Sequence, residues 1–204
     1  MKRKILTCIF LFVVILPSSL FAARRFAGYE KGSYKISIRI PFELPVAYWV
    51  KGNETTGLNN WYVWNQIGYN NNIEFGIEIG YEYFMNSKLS LGGLIGYHFS
   101  YMRSNSLISR VPFAFRMSYY PYTDNKFDIP IILGVGGAYE NTKGYSMVTM
   151  HLSLETGFSW YWNDNWGIGL RTGLHLIPEF LSGRPDQTNL TFFIPIVAEV
   201  TFRR

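Results

Sequence analysis

His151, Ser153 and Glu155 alternate along one stretch, so on an extended strand all three project from the same face. A histidine, a hydroxyl and a carboxylate on one face are the residue types of a base-activated nucleophile. The same parity, however, points into a closed barrel rather than toward a lipid substrate. An interior polar network is the expected role, and no catalytic residue is assigned. His98, His151 and His175 share that parity on separate segments. His151 and His175 fall on neighbouring segments and could form a metal-binding pair, but hydrogen-bonded interior histidines are the favoured reading, and neither a metal site nor a cofactor is assigned. Gly134-x-Gly136-Gly137 lies within a strand pattern instead of before a helix, which rules out a phosphate loop on context.

The remaining chemistry is ionic. Lys35, Arg39, Glu74, Glu78, Glu82, Arg116, Asp128, Glu155, Arg171 and Glu199 all fall on the polar parity of an alternating pattern. They predict a charge network filling a lumen, since a buried charge requires a partner. Lys35 and Arg39 are expected between Glu74, Glu78 and Glu82 on one side and Glu199 on the other. Arg116 is expected to face Asp128, and Glu155 to reach Arg171. The competing arrangement is a narrow, carboxylate-lined channel opened by Gly76 and Gly80. A second candidate surface is the connection after the first strand, where Trp49, Trp61, Tyr62, Trp64 and Tyr69 concentrate large amphipathic rings among Asn and Gly.

The elements that must hold these residues are strands. In Asn72–Tyr101 the odd positions Ile73, Phe75, Ile77, Ile79, Tyr81 and Tyr83 are apolar or aromatic, and glycine and glutamate alternate between them. After Met85-Asn86-Ser87 the pattern resumes at Leu89, Leu91, Gly93, Ile95, Tyr97, Phe99 and Tyr101. A period of two requires a β-hairpin with one greasy and one polar face. Further strands are expected at Ser33–Phe42, Arg110–Tyr120, Phe127–Tyr139, Val148–Trp162, Trp166–Leu176 and Asn189–Phe202. Their connections alternate long and short, with polar loops at Met102–Ser109, Glu140–Met147 and Pro178–Gln187. No Lys, Arg, Asp, Glu or His falls on the greasy parity of any of these strands. The glycine-rich polar face suits a crowded interior, and tyrosines end the greasy face as an interfacial girdle does. The fold class is therefore all-β, an eight-stranded antiparallel up-and-down transmembrane β-barrel.

Lys2-Arg3-Lys4, the apolar run Ile5–Leu16 and Ala22-Ala23 form a signal peptide expected to span residues 1–22. Residues 23–32 read as a short polar tail, and 33–204 as one barrel domain. Cys8 leaves with the signal, so the mature chain has neither disulfides nor thiolate sites. The charge of +5 falls to +2 once Lys2, Arg3 and Lys4 are removed, leaving 16 basic against 14 acidic residues. Such a balance gives no case for nucleic-acid binding.

The eight alternating strands resemble the small eight-stranded outer-membrane barrels, the group of OmpX, OmpW and the OmpA membrane domain, from about Ser33 to Phe202. Ile196, Ala198, Val200 and Phe202 also resemble the C-terminal assembly signal of that group, from which Arg203-Arg204 depart. The resemblance implies an outer-membrane location with both termini in the periplasm. Its implied partners are membrane lipid, lipopolysaccharide-type lipid and the barrel-assembly machinery. It implies passage or capture of small apolar molecules; binding of a host molecule through the loops is the alternative. His151-x-Ser153 resembles a pair found in outer-membrane lipid A deacylases, although Leu154 departs from that motif.

Overall fold

A computed structural model describes residues 28–50, 60–63, 73–101, 107–142, 145–180 and 188–204. The described strands are β1 (Tyr34–Val50), β2 (Asn60–Val63), β3 (Glu74–Phe84), β4 (Leu89–Tyr101), β5 (Leu107–Thr123), β6 (Phe127–Thr142), β7 (Tyr145–Tyr161), β8 (Trp166–Phe180) and β9 (Thr188–Arg203). Every neighbour pairs antiparallel, and β1 also pairs with β9, which closes the sheet. The short β2 pairs with Ala47–Val50, and β3 with Tyr34–Glu43, so the two lie end to end along one edge of β1. The barrel thus has eight staves, as the alternation requires.

The period-two pattern separates the faces cleanly. Ile38, Ile79, Ile95, Phe115, Leu133, Leu154 and Leu170 are all exposed on the outside. Every charged strand residue whose side chain is described is buried.

The three turns that close one rim share one device. Asn86 Oδ1 accepts the amide hydrogens of Lys88 and Leu89 at 2.8 and 2.9 Å. Asp124 Oδ1 accepts those of Lys126 and Phe127, both at 2.6 Å. Asn163 Oδ1 accepts those of Asn165 and Trp166 at 2.9 and 2.7 Å. In each case a short polar side chain replaces the ladder partner that the tight turn removes. The Tyr122 hydroxyl, 2.6 Å from Asp124 Oδ2, joins these amides in holding the Asp124 carboxyl below its ordinary range.

Several strands outrun the expected boundaries. β1 contains Pro41 and continues beyond Phe42 through Pro45 to Val50. Its ladder to β3 omits Ile40 and Pro41, and the register to β9 shifts between Pro45 and Ala47. Proline removes a donor, and the irregularities absorb the loss without ending the strand. β5 begins at Leu107 and not at Arg110, and β8 runs through Pro178 to Phe180. In the stretch Glu140–Met147, expected as a polar loop, residues 140–142 and 145–147 are paired strand. Glu140 pairs with Met147, Asn141 with Ser146 and Thr142 with Tyr145. Burial of Glu140 against Arg110 explains why a polar sequence stays in the sheet there. The expected alternation of long and short connections therefore fails between β6 and β7.

The segment expected as a polar tail also differs. Within it Tyr29 is buried to 1% exposure inside the barrel base. Gly32, with φ of 98°, reverses the chain in a conformation that other residues rarely adopt, and its amide donates to the Phe84 carbonyl at 3.0 Å.

Candidate functional site

The lumen is filled in three tiers. The lowest lies at the rim of the three short turns. Tyr29 stacks on Phe84 with ring centroids 3.6 Å apart, and Tyr120 packs against both rings. The hydroxyls of Tyr29 and Tyr161 donate to Asp128 Oδ2 at 2.8 and 2.7 Å. Lys35 Nζ lies 3.6 Å from the same oxygen and donates to the Tyr120 hydroxyl, which donates onward to Glu82 at 2.6 Å. Arg203 lies across the Tyr161 ring and donates to the carbonyls of Asp124, Asn125 and Asp164. One buried guanidinium thereby ties two turns to the C-terminal strand.

Replacing Tyr29 by phenylalanine is expected to keep the stack but lose the bond to Asp128. A hydrogen bond to a charged group contributes about 1.5–3 kcal/mol, and Tyr161 still serves the same oxygen. Urea unfolding in detergent should therefore show a loss near 1.5 kcal/mol, and an unchanged midpoint would mean that the Tyr29 hydroxyl is hydrated instead.

The middle tier centres on Arg39, which has 0% exposure. Its guanidinium contacts Glu78 at 2.9 Å, Glu155, and Glu199 at 3.9 Å. The Glu78 contact is an ion pair outside hydrogen-bond alignment, since Arg39 Nη1 and Glu78 Oε2 both lack such a bond. Arg116 reaches Glu155 at 3.2 Å. Arg171 pairs with Glu199 and donates to Ser159 Oγ at 2.6 Å.

The upper tier gathers Glu43, Glu74, Glu140, Arg110 and the three histidines. Arg110 bonds both oxygens of Glu74, at 2.7 and 2.9 Å, and Glu140 at 2.7 Å. His175 lies between Glu43 and Glu155, at 2.8 and 3.2 Å. His98 Nε2 is 3.0 Å from Glu78 Oε1, while its Nδ1 faces Glu74 and Glu43. The His98 ring fits only because its register partner is Gly76, where a Cβ would stand 2.3 Å from the ring.

All ten expected network residues are buried in the lumen, but two expected pairs do not form. Arg116 does not meet Asp128. It sits opposite Gly134, and the register shift after Tyr119 places Asp128 opposite Thr123, lower in the barrel. Glu155 does not meet Arg171. It turns to Arg39, Arg116 and His175, and Arg171 turns to Glu199. Neighbour-by-neighbour reasoning misses such pairs because they cross the lumen, as Lys35–Asp128 and Arg39–Glu155 do.

Glu43, Arg110, Glu140, Tyr29, Tyr120, Tyr161 and Arg203 were absent from the expected network. Arg110 carried the right parity, but its partner Glu140 had the composition of a loop. Glu43 carried the right parity between two prolines. His151 and Ser153 are buried with Glu155, whose oxygens serve His175 and two guanidiniums rather than His151.

At the other rim, Trp49 is half-buried and pairs in register with Trp61, and Tyr48 pairs with Tyr62. Trp64 and Tyr69 lie outside the described residues.

The exterior completes the geometry. Aliphatic side chains form a continuous outer belt. Tyr34, Tyr81, Tyr83, Tyr119, Tyr122, Trp160, Trp162, Trp166 and Phe202 crowd its lower edge, with Tyr97 and Tyr139 higher up. A charged inside and an apolar outside bounded by aromatics suit a barrel whose solvent is lipid. Among the described residues no helix is long and apolar enough to cross a membrane, which has no bearing on strands that do.

A protein-family model matches residues 20–203. No curated protein matches the sequence. Among solved structures, the chain is similar to the outer membrane protein OprG from Pseudomonas aeruginosa, with 11% identity and a TM-score of 0.50 over 87% of this chain and 98% of that one. It is also similar to Neisserial surface protein A, with 11% identity and a TM-score of 0.51 over 84% of this chain and 98% of the other. At these identities the likeness is one of fold.

Proposed function

We propose, on the premise that the chain belongs to the small eight-stranded outer-membrane β-barrel proteins, that it is a sealed barrel acting through its rim rather than along its axis. The carrying observation is the middle tier. Arg39 and Arg171 lie fully buried across the lumen, and carboxylates from several strands bind them. Opening an axial path would separate buried ion pairs, which costs several kcal/mol each.

The working surface in this reading is the rim where β1 pairs with β2, around Trp49, Trp61 and Tyr62. It lies opposite the termini: Tyr34 and Arg204 exchange backbone hydrogen bonds at the end of the three short turns. The termini and short turns then face the periplasm, and the β1–β3 connection faces outward. An epitope inserted at Asn53 should be reachable on intact cells and one at Asp164 should not; the reverse labelling would overturn this orientation.

Capture of a small apolar molecule from the membrane is a second reading, with one observation in its favour. The outward position Gly93 leaves a depression of about 450 Å³ among Ile79, Tyr81, Ile95 and Phe113. Both readings predict a wild-type barrel with little steady conductance in a planar bilayer. A large, stable, cation-selective conductance that persists after Arg39 is replaced would overturn the sealed lumen and restore the channel.

A further inference from the structure

The upper tier has a composition that charge pairing alone does not account for. Glu43 and Glu74 are direct register partners on β1 and β3 and share the inner face. Like charges placed opposite one another in a sheet are destabilising, and both side chains are buried, at 1% and 4% exposure. Arg110 satisfies Glu74 but divides its charge with Glu140. Imidazoles complete the surroundings of Glu43.

His98 directs its Nδ1 at both carboxylates, 3.7 Å from Glu74 Oε2 and 4.0 Å from Glu43 Oε1. One ligand atom from each of these three residues fits within 4.8 Å of the others. Ligand atoms around a tetrahedral zinc ion with bonds of about 2.1 Å stand about 3.4 Å apart. His98 Nδ1 would therefore close on the two carboxylate oxygens by about 0.3 and 0.6 Å, and the carboxylates on each other by up to about 1.4 Å.

The groups behind them are placed as supports. His98 Nε2 faces Glu78 Oε1 at 3.0 Å, the carboxylate–histidine arrangement that fixes a ligating imidazole and raises its basicity. His175 Nδ1 lies 2.8 Å from Glu43 Oε1 and holds that carboxylate in position. An independent observation comes from His151. Its ring packs edge-on against His175 with centroids 4.9 Å apart, it is 4% exposed, and its Nδ1 has no hydrogen-bond partner. A buried polar nitrogen without a partner is costly, and this one stands beside the ring that holds Glu43.

We propose that Glu43, Glu74 and His98, with His151 in the surrounding shell, form a site for a divalent transition-metal ion in the upper lumen. Mixed imidazole and carboxylate ligands suit zinc, cobalt or nickel better than calcium or magnesium, which favour all-oxygen sites. An ion there would offset the repulsion between the facing carboxylates. It would also add a cross-strand tie between β1, β3 and β4. This inference stands apart from the rim-binding reading, because a sealed barrel can hold or lack such an ion.

The test uses the full barrel in detergent micelles, with zinc or cobalt(II) chloride supplied both during refolding and afterwards. One equivalent of cobalt should be retained through gel filtration and give visible d–d absorption, and zinc should displace it. His98→Gln should weaken binding at least tenfold while the barrel keeps its heat-modifiable gel mobility. Should that variant fail to fold, X-ray absorption of the zinc-loaded wild type decides, with imidazole scattering expected from at least one ring. Absence of stoichiometric metal under both loading conditions would overturn the site. So would undiminished binding by folded His98→Gln, or a first shell of oxygen alone.

Discussion

Replacing Arg39 by alanine is expected to destabilise the barrel by about 3–5 kcal/mol, the range for removing one partner of a buried ion pair. Among the described residues the guanidinium is the one cation in contact with Glu78, Glu155 and Glu199 together, drawn from β3, β7 and β9. Its loss leaves buried carboxylates short of a counter-charge. The remaining partners set the expected value toward the lower end of that range. Glu155 keeps Arg116 and His175, Glu199 keeps Arg171, and Glu78 keeps His98. Arg116→Ala should cost less, because its one ion pair is with Glu155, which retains other donors. Urea titration in detergent, followed by tryptophan fluorescence, measures both. The order Arg39 before Arg116 is the diagnostic. Equal losses below about 1 kcal/mol would mean that water solvates the middle tier, and the sealed lumen would fall with it.

The parity that makes this prediction possible was legible in the sequence. Side chains alternate at every residue of a strand, so Arg39, Glu78, Glu155 and Glu199 could be placed inside without knowledge of the register. Partner choice was not legible to the same degree. It depends on strand stagger, on two register shifts, and on reach across a lumen about as wide as two long side chains. Asp128 shows the consequence: its distant partners Lys35 and Tyr29 come from β1 and the N-terminal segment, not from the adjacent hairpin strand. Strand ends were read short wherever the sequence turned polar. Glu140 has the composition of a loop and Arg203 follows the last expected strand, although each is a charged residue of inward parity with buried partners. Tyr29 offered no periodic signal, because one residue turned inward after a glycine has no pattern around it.

Leu133→Arg is expected to cost about 2–4 kcal/mol when the barrel is folded in lipid vesicles, because arginine at the bilayer midplane carries that penalty. Leu133 faces outward on β6, 48% exposed, with Met117 and Leu154 as register partners on either side. It stands six residues from both Phe127 and Tyr139, the aromatic positions that bracket the outward face of this strand. The control is Phe127→Arg on the same face near the lower rim. The penalty falls to about 0–1 kcal/mol near the interface, so the two changes should differ by about 1–4 kcal/mol. Water around the same barrel would predict a different result. Surface substitutions away from special features usually stay within about 0.5 kcal/mol, and an arginine among exposed aliphatic groups would be nearly neutral at both positions. Guanidinium unfolding of the two variants in vesicles measures the difference directly. Matching, near-zero costs would show that the outer belt is not immersed in hydrocarbon, however apolar its composition.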